Sequence, residues 1–198
     1  MGLDEKQWRA FRSGEKSALA GIAERHYHSL LRYGMKFGLD DAEIQDCIQD
    51  LFLDLWQNRE RVADTPSVKN YLFKAVRNRI IDVIRQKQRF GPVQSEEWQV
   101  SFSDFCTVEK EWIEKEYLTE VSHQIRQQME ALPKREREAL YLRYFENLSL
   151  QEVSEIMGVN RQSVANFVQK ALQRMRGRLT IPLLVIFSLE YFFFNNRV

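Results

Sequence analysis

The chain has 198 residues and a formal net charge of +1, and its composition is 44% hydrophobic and 29% charged. With four prolines and eight glycines, it is not typical of a disordered or fibrous protein, and it predicts one medium-sized globular domain or two small ones. The polar residues 1–12 do not have the pattern of a signal peptide. Cys47 and Cys106 have no metal-ligand spacing, so we expect a cytoplasmic protein in which Cys47 is a reduced core thiol.

The small net charge hides a segregation along the chain. Residues 1–88 hold 15 Lys and Arg against 13 Asp and Glu, residues 89–131 hold 4 against 9, and residues 132–178 hold 9 against 5. Two mildly basic blocks therefore flank an acidic connector. A few phosphate contacts give only weak affinity at physiological salt, so we expect neither block to hold DNA tightly by itself.

The first block has helical periodicity throughout. Trp8 and Phe11 mark a short opening helix, and an apolar stripe then runs from Leu19 to Leu31 until Gly38 offers a stop. No strand-like alternation competes with the helical pattern. We therefore predict helices only in this block.

The next two predicted helices have polar faces of opposite charge. The first spans residues 44–58, with an apolar stripe formed by Ile44, Cys47, Ile48, Leu51, Phe52, Leu55 and Trp56. Its other face carries Asp46, Gln49, Asp50, Asp54 and Gln57. The second helix is predicted to open at Thr65-Pro66 and is basic outside its own apolar stripe. An acidic face can bind a basic protein and a basic face can bind DNA, so the pair is predicted to bridge the two.

Helical periodicity stops between residues 90 and 107, where Gly91-Pro92 and three serines interrupt it. A helix is predicted to resume near Val108, because Glu109, Glu111 and Glu114 suit its positive N-terminal end. The predicted fold class is therefore all-α. It has two small helical domains, residues 1–89 and 108–180, joined by a flexible linker at 90–107.

The second domain has the layout of a helix-turn-helix. Ser149-Leu150-Gln151-Glu152 is a capping box, Gly158 supplies a turn, Asn160 can cap the last helix, and small Ser154 permits a close crossing. Polar side chains on the last helix could reach the edges of bases in the major groove, and arginines after them could reach phosphates. These residues are Arg161, Gln162, Ser163, Asn166 and Lys170, followed by Arg174, Arg176 and Arg178. The alternative is a plain three-helix bundle with a solvated basic helix.

The chain resembles the extracytoplasmic-function (ECF) sigma factors of bacterial RNA polymerase. QDCIQDLFLDLW, YLFKAVRN and IIDVIR resemble region two of that family, and LPKREREALYLRYFENLSLQEVSEIMGVNRQSVANFVQKALQRMRGRL resembles region four, in the family's order and spacing. The resemblance implies an alternative sigma factor that binds core RNA polymerase, recognises the −10 and −35 promoter elements and initiates transcription. It implies an anti-sigma factor as a further partner. The sequence contains no phosphate-binding glycine loop or nucleophile motif, so we expect no enzyme activity, small-molecule substrate, cofactor or metal.

The resemblance also assigns residues to three surfaces. The motif that would dock on the clamp helices of the polymerase largest subunit comprises Asp46, Gln49, Asp50, Phe52 and Trp56. The −10 DNA surface, with the loop 59–68 capturing a flipped base, comprises Arg59, Arg61, Tyr71, Lys74, Arg77, Asn78 and Arg85. The −35 DNA surface comprises Arg161, Gln162, Ser163, Asn166, Lys170 and Arg174.

Three positions depart from the family pattern. Gln45 removes a charge from the docking motif, and Ser154 replaces a usual alanine. Asn160-Arg161 stands where a serine and a small residue are frequent. The last departure falls at the end of the helix that reads DNA, so the promoter sequence cannot be transferred from relatives.

Other features have ordinary explanations. Core packing is as good an explanation for Trp56 and Tyr71 as a partner contact. His26, His28 and His123 form no metal or catalytic set, and Asp46, Asp50 and Asp54 lack further ligands for a cation.

The apolar segment 179–195 overlaps a predicted hydrophobic tail at 181–198. It contains Pro182, Ser188 and Glu190 and is shorter than the about twenty residues of a spanning helix. Packing on the second domain or docking to a partner is favoured over shallow membrane contact.

Two other functions stay open at this point. The chain could be a helix-turn-helix regulator that binds an operator without polymerase, with its first block serving as a sensor or dimerisation domain. It could also be an interaction protein whose first block sequesters a partner. Tight binding to DNA without polymerase would distinguish the regulator.

Overall fold

A computed structural model describes residues 2–90, 125 and 127–176. The chain divides into two compact units, Met1–Ser103 and Asp104–Val198. Within the described ranges all regular structure is helical and no strand occurs, which confirms the predicted all-α fold class.

Several predicted features lie outside the described residues. These are the linker at 90–107 except for its first residue, most of the helix predicted from Val108, and the apolar segment 179–195. The boundaries of the predicted domains therefore stay predictions. None of the helices that the structure describes is long and apolar enough to cross a membrane.

Among its described residues, the first unit contains four α-helices and one short 3-10 helix. They are α1 (Leu3–Arg12), α2 (Lys16–Gly34), the 3-10 helix (Met35–Phe37), α3 (Asp41–Gln57) and α4 (Val68–Phe90). Helix α2 packs on α1, α3 and α4, and α3 also packs on α4. Helix α2 is therefore the centre of the unit, and it leaves outer faces of α3 and α4 open to solvent.

The core of this unit is apolar and aromatic. Its fully buried side chains include Trp8, Phe11, Ile22, Leu30, Tyr33, Ile44, Ile48, Leu72, Phe73, Val76 and Ile80. Burial of a side chain of this size contributes about 1.5–3 kcal/mol. Cys47 is buried among them as predicted, and burial raises the pKa of its thiol, which therefore stays protonated at neutral pH.

His26 is a core residue. Its Nε2 lies 3.0 Å from Asp4 Oδ2, so the ring links α2 to α1. Burial lowers the pKa of His26, and Asp4 opposes that effect. His28 is exposed, and His123 lies outside the described residues.

The ends of α3 and α4 are fixed by side-chain caps. Asp40 caps α3, accepting a hydrogen bond of 2.8 Å from the Glu43 amide. The prediction that Thr65-Pro66 opens α4 was wrong, because α4 begins at Val68. Ser67 Oγ accepts from the Asn70 amide, while Thr65 Oγ1 accepts from the Ser67 amide and donates to the Ser67 carbonyl. This local turn at Thr65 delays the helix by two residues.

Gly34 permits the close approach of α2 to α3. A Cβ at this position would lie 2.4 Å from Ile44 Cγ2, an atom on a branch that cannot swing away. We expect Gly34→Ala to lower the free energy of unfolding by about 1–3 kcal/mol in urea titration of the full chain. Gly21→Ala is the matched control, since its Cβ would meet only the flexible end of Gln7. Equal effects of the two substitutions would contradict the packing argument.

The second unit contains three described α-helices, preceded by helical residues 127–130. They are α5 (Lys134–Tyr144), α6 (Leu150–Met157) and α7 (Arg161–Arg176). Helix α7 packs on both α5 and α6. The buried residues of this unit include Met129, Leu132, Ala139, Leu140, Leu142, Leu148, Val153, Ile156, Val164 and Ala171.

Candidate protein-docking and DNA interfaces

The polar face of α3 is open to solvent. Asp46, Gln49 and Asp50 are exposed, and neither carboxylate takes part in an ion pair with another described residue. Asp54 differs, because it forms an ion pair with Arg79 of α4. The acidic character of the face is therefore concentrated at Asp46 and Asp50.

Leu53 was missed by the sequence prediction. Its side chain is 56% exposed on the same face of α3 as the two carboxylates. The signal was available, because Asp46, Asp50 and Leu53 follow the i, i+4, i+7 spacing of one helix face. An exposed leucine between polar residues gives this face an apolar point of contact for another protein.

Phe52 and Trp56 lie at the edge of the buried stripe, where both are half-buried. The Arg59 guanidinium lies over the Trp56 ring at 4.8 Å from its centroid, and the Lys16 ammonium lies at 5.8 Å. Arg59 also donates a 3.0 Å hydrogen bond to the Trp56 carbonyl. Trp56 and Arg59 therefore form one cluster, which joins the end of α3 to the loop that follows.

The loop between α3 and α4, residues 58–67, is held in a defined shape. The Arg61 and Val62 amides both donate to the Asn58 carbonyl, which closes a turn, and Val62 is buried. Arg61 is exposed. Arg59 is half-buried and also pairs with Glu60 at 3.5 Å.

Helix α4 places most of its predicted DNA contacts along one stripe. Tyr71, Lys74, Asn78 and Arg85 are spaced i, i+3, i+7 and i+14, which covers about 21 Å of helix. Lys74, Asn78 and Arg85 are exposed, and Arg85 pairs with Asp82 at 3.3 Å. Arg77 is half-buried and lies to one side of this stripe.

Tyr71 is half-buried at the start of this stripe. Its ring lies 5.1 Å from that of Trp8, so the residue belongs partly to the core, as the sequence had left open. Burial raises the pKa of the Tyr71 hydroxyl, with a smaller opposing effect from Arg79. The hydroxyl is therefore neutral at physiological pH and does not repel phosphate.

In the second unit, α6, a turn and α7 form a helix-turn-helix. The predicted capping box is confirmed, since Ser149 Oγ accepts from the Glu152 amide and the Glu152 carboxylate accepts from the Ser149 amide. Gly158 has a φ of 66°, a conformation that favours glycine, and ends α6 as predicted. Asn160 caps α7 through a 2.7 Å bond from the Ser163 amide.

The start of α7 presents a polar face. Arg161, Gln162, Asn166 and Lys170 are exposed, and Ser163 is half-buried. Gln162 Nε2 donates to Asn166 Oδ1 at 3.2 Å, which orients both amides. Two further exposed glutamines, Gln169 and Gln173, continue this face at i+7 and i+11 from Gln162, and the sequence prediction missed them.

Arg161 also lines a groove of about 490 Å³ with Arg143, Ser149, Leu150 and Gln151. Arg143 was not among the predicted residues. Its Nη1 donates to the Leu148 carbonyl at 2.9 Å, which holds the side chain beside the start of α6. Two guanidinium groups on one groove favour a phosphate as its occupant.

Arg174 is tied to the core of its own unit. Its Nη1 lies 2.5 Å from Glu136 Oε2, and Glu136 is only 6% exposed. We expect Arg174→Ala to lower the free energy of unfolding by about 1–3 kcal/mol, because it leaves a buried carboxylate without its partner. Thermal unfolding of the full chain measures this, with exposed Arg176→Ala as the control. Equal losses from both variants, or no recovery on adding Glu136→Gln, would contradict this role.

Within the described residues, no group of three or more His, Cys, Asp or Glu side chains is placed to hold a metal ion. Three comparisons with known proteins bear on the identity of the chain.

The sequence matches two family models. Residues 22–90 match Sigma-70 region 2, and residues 122–175 match Sigma-70, region 4. The chain is 24% identical over 165 residues to RNA polymerase sigma factor SigV of Bacillus subtilis (strain 168), covering 83% of this chain and 93% of the relative. It is 24% identical over 181 residues to RNA polymerase sigma factor NccH of Alcaligenes xylosoxydans xylosoxydans, covering 89% and 95%. ECF RNA polymerase sigma factor SigM of Bacillus subtilis is 25% identical over 157 residues, covering 79% and 91%.

Solved structures have the same fold. CnrH in complex with the cytosolic domain of CnrY matches with a TM-score of 0.60 at 16% identity, covering 89% of this chain and 96% of that chain. The sigma factor RpoE in complex with the anti-sigma factor NepR from Bartonella quintana matches with a TM-score of 0.56 at 15% identity, covering 82% and 97%.

Proposed function

Because this chain belongs to the sigma-70 family of RNA polymerase sigma factors, we propose that it acts as an alternative sigma factor of the ECF type. It binds core RNA polymerase, recognises the −10 and −35 elements of a promoter and initiates transcription. The observation that carries this function is that one chain presents an exposed acidic face on α3, an exposed polar and basic stripe on α4 and an exposed polar face at the start of α7.

The proposed polymerase contact is the exposed face of α3. Asp46 and Asp50 supply unpaired negative charge, Gln49 supplies hydrogen bonds, and Leu53 supplies apolar area. Phe52 and Trp56 border this face. Charge complementarity with a basic partner gives such a contact its specificity and speed of association.

The proposed −10 contact is the α3–α4 loop with the stripe on α4. Arg59 and Arg61 border the loop, and Tyr71, Lys74, Arg77, Asn78 and Arg85 follow along α4. Unpairing and flipping a base costs about a few kcal/mol, so a protein surface has to compensate for the lost stacking. A ring such as Tyr71 and the cationic loop can supply that compensation.

The proposed −35 contact is the helix-turn-helix of the second unit. Arg161, Gln162, Ser163, Asn166 and Lys170 lie on α7, where a recognition helix contacts bases from its N-terminal end. Arg174 is assigned a structural part beyond any phosphate contact, because it pairs with Glu136. Arg143 joins the proposed surface as a contact to the DNA backbone.

Neither DNA surface needs high affinity of its own. Binding to polymerase fixes both on one particle, which raises the effective concentration of each surface at the promoter. Residues 90–107 are proposed to connect the two domains, and eighteen residues span at most about 60 Å when extended. The protein performs no chemical step in this scheme, acts in the cytoplasm, and has an anti-sigma factor as its inhibitor.

Transcription in vitro tests the function. Core RNA polymerase with the full chain should initiate from a subset of a promoter library, and polymerase alone should not. The alternative, a conventional helix-turn-helix regulator, predicts tight binding to duplex DNA at physiological salt without polymerase. Binding of that kind, together with no initiation on any promoter, would exclude the sigma-factor function.

A further inference from the structure

Helix α1 precedes the residues that match the family, yet it contacts the loop proposed to capture a base. The match to Sigma-70 region 2 begins at residue 22, and α1 spans Leu3–Arg12. Its side chains reach residues 63 and 64 of the α3–α4 loop, more than fifty residues later in the chain. The family match therefore says nothing of these contacts.

The first contact is a hydrogen bond from a buried tryptophan. Trp8 is 0% exposed, and its Nε1 donates to the Ala63 carbonyl at 3.1 Å. The indole cannot move freely, because its ring centroid lies 5.2 Å from that of Phe11 and 5.1 Å from that of Tyr71. The core of the unit thereby fixes the position of a backbone group in the loop.

The second contact is made by two arginines in the last turn of α1. Arg9 Nε lies 3.5 Å from Asp64 Oδ2, and Arg12 Nη1 lies 3.9 Å from Asp64 Oδ1. Asp64 is half exposed beside Ala63. Unpaired, its carboxylate would repel phosphate on a surface proposed to accept a DNA strand. The arginines offset this charge and hold the side chain toward α1.

The loop is therefore held on two sides. Val62 is buried against the body of the unit, while Ala63 and Asp64 are held by α1. Arg61 and Pro66 stay exposed. A loop that is ordered before binding does not lose conformational freedom when a ligand arrives, which improves affinity without any new contact.

We propose that Trp8, Arg9 and Arg12 are positioning residues for the α3–α4 loop, and that they order Ala63 and Asp64 before promoter DNA arrives. The expected effect on transcription rests on the proposed function, since an ordered loop lowers the free-energy cost of capturing the flipped base. The ordering itself is a property of the free protein.

Amide hydrogen exchange of the full chain, without polymerase, tests the ordering. Trp8→Phe keeps the aromatic packing and removes the indole donor, so exchange at residues 61–65 should become about fivefold faster. Arg9→Ala should accelerate the same amides by about two- to fivefold. Lys6→Ala is the matched control, because Lys6 is an exposed cation on α1 and takes no part in the ion pairs of Asp64. Unchanged exchange at residues 61–65 in both variants would overturn the proposal.

Initiation with core polymerase tests the consequence. Arg9→Ala should lower initiation from duplex promoters by about two- to fivefold and weaken the preference for single bases in the −10 element. The affinity of the Arg9→Ala protein for core polymerase should not change. Arg9→Lys, which keeps the positive charge, should retain the base preference in the −10 element. In an Asp64→Ala background, Arg9→Ala should have no further effect. An effect that persists there would mean that Arg9 contacts DNA directly, and would overturn the positioning role.

The two experiments separate two kinds of failure. If the wild-type chain supports no initiation, the sigma-factor function fails, while hydrogen exchange still decides whether α1 orders the loop. If initiation proceeds and the loop exchanges equally in wild type and variants, the positioning role fails alone.

Discussion

Reversing the charge at Asp46 and Asp50 together is expected to weaken binding to core RNA polymerase by about 100-fold or more. Charge pairs at an interface couple by about 1.5–7 kcal/mol each, and like charges brought together cost several more. Both carboxylates are exposed and unpaired among the described residues, so the fold should be preserved. Titration of labelled core polymerase with Asp46→Lys, Asp50→Lys protein measures the affinity.

The control for this experiment reverses one charge outside the α3 face. Glu24 is an exposed carboxylate on α2, outside the α3 face. Glu24→Lys should leave core affinity within about twofold of wild type, and circular dichroism should show equal helix content in all variants. If the α3 variant also bound core polymerase within twofold, the α3 face would not be the docking surface.

Removing Arg161 and Gln162 is expected to affect recognition of the upstream promoter element and to spare the downstream one. A bidentate contact from a side chain to a base is worth about 1–3 kcal/mol, which corresponds to about 5- to 150-fold. Asn160 caps α7 with its own side chain, so Arg161→Ala and Gln162→Ala should not unravel the helix. The rate of initiation from promoters with the preferred −35 sequence should fall until it equals the rate from promoters with altered −35 sequences.

The single substitutions separate reading of bases from contact with the backbone. Gln162 is oriented by its bond to Asn166, so Gln162→Ala should change which base is preferred. Arg161 shares its groove with Arg143, so a uniform loss on every promoter from Arg161→Ala would identify it as a phosphate contact. Exposed Arg135→Ala on α5 is the control. A loss confined to the downstream element would contradict the assignment of α7.

Much of the candidate site could be predicted because its signals are local. The polar face of α3, the capping box at Ser149 and the turn at Gly158 each depend on residues within a few positions of one another. Helical spacing alone also places Leu53 and Gln169 on these faces, although the sequence prediction did not include them. The error at Thr65 arose because Thr65 and Ser67, two positions apart, could each cap a helix, and the choice depended on backbone geometry.

The sequence by itself determined which segments are helical, which faces are buried and where charge of each sign is placed, because periodicity and capping act within one or two turns. Tertiary structure alone decided which charges are free. It pairs Asp54 with Arg79 and Arg174 with Glu136, leaves Asp46 and Asp50 open, and brings Trp8 to Ala63. These contacts join residues 25 to 55 positions apart, and no local spacing encodes which helices pack together. Packing of the helices thus decides which of the polar residues are exposed and unpaired, which hold the α3–α4 loop and which form a structural ion pair.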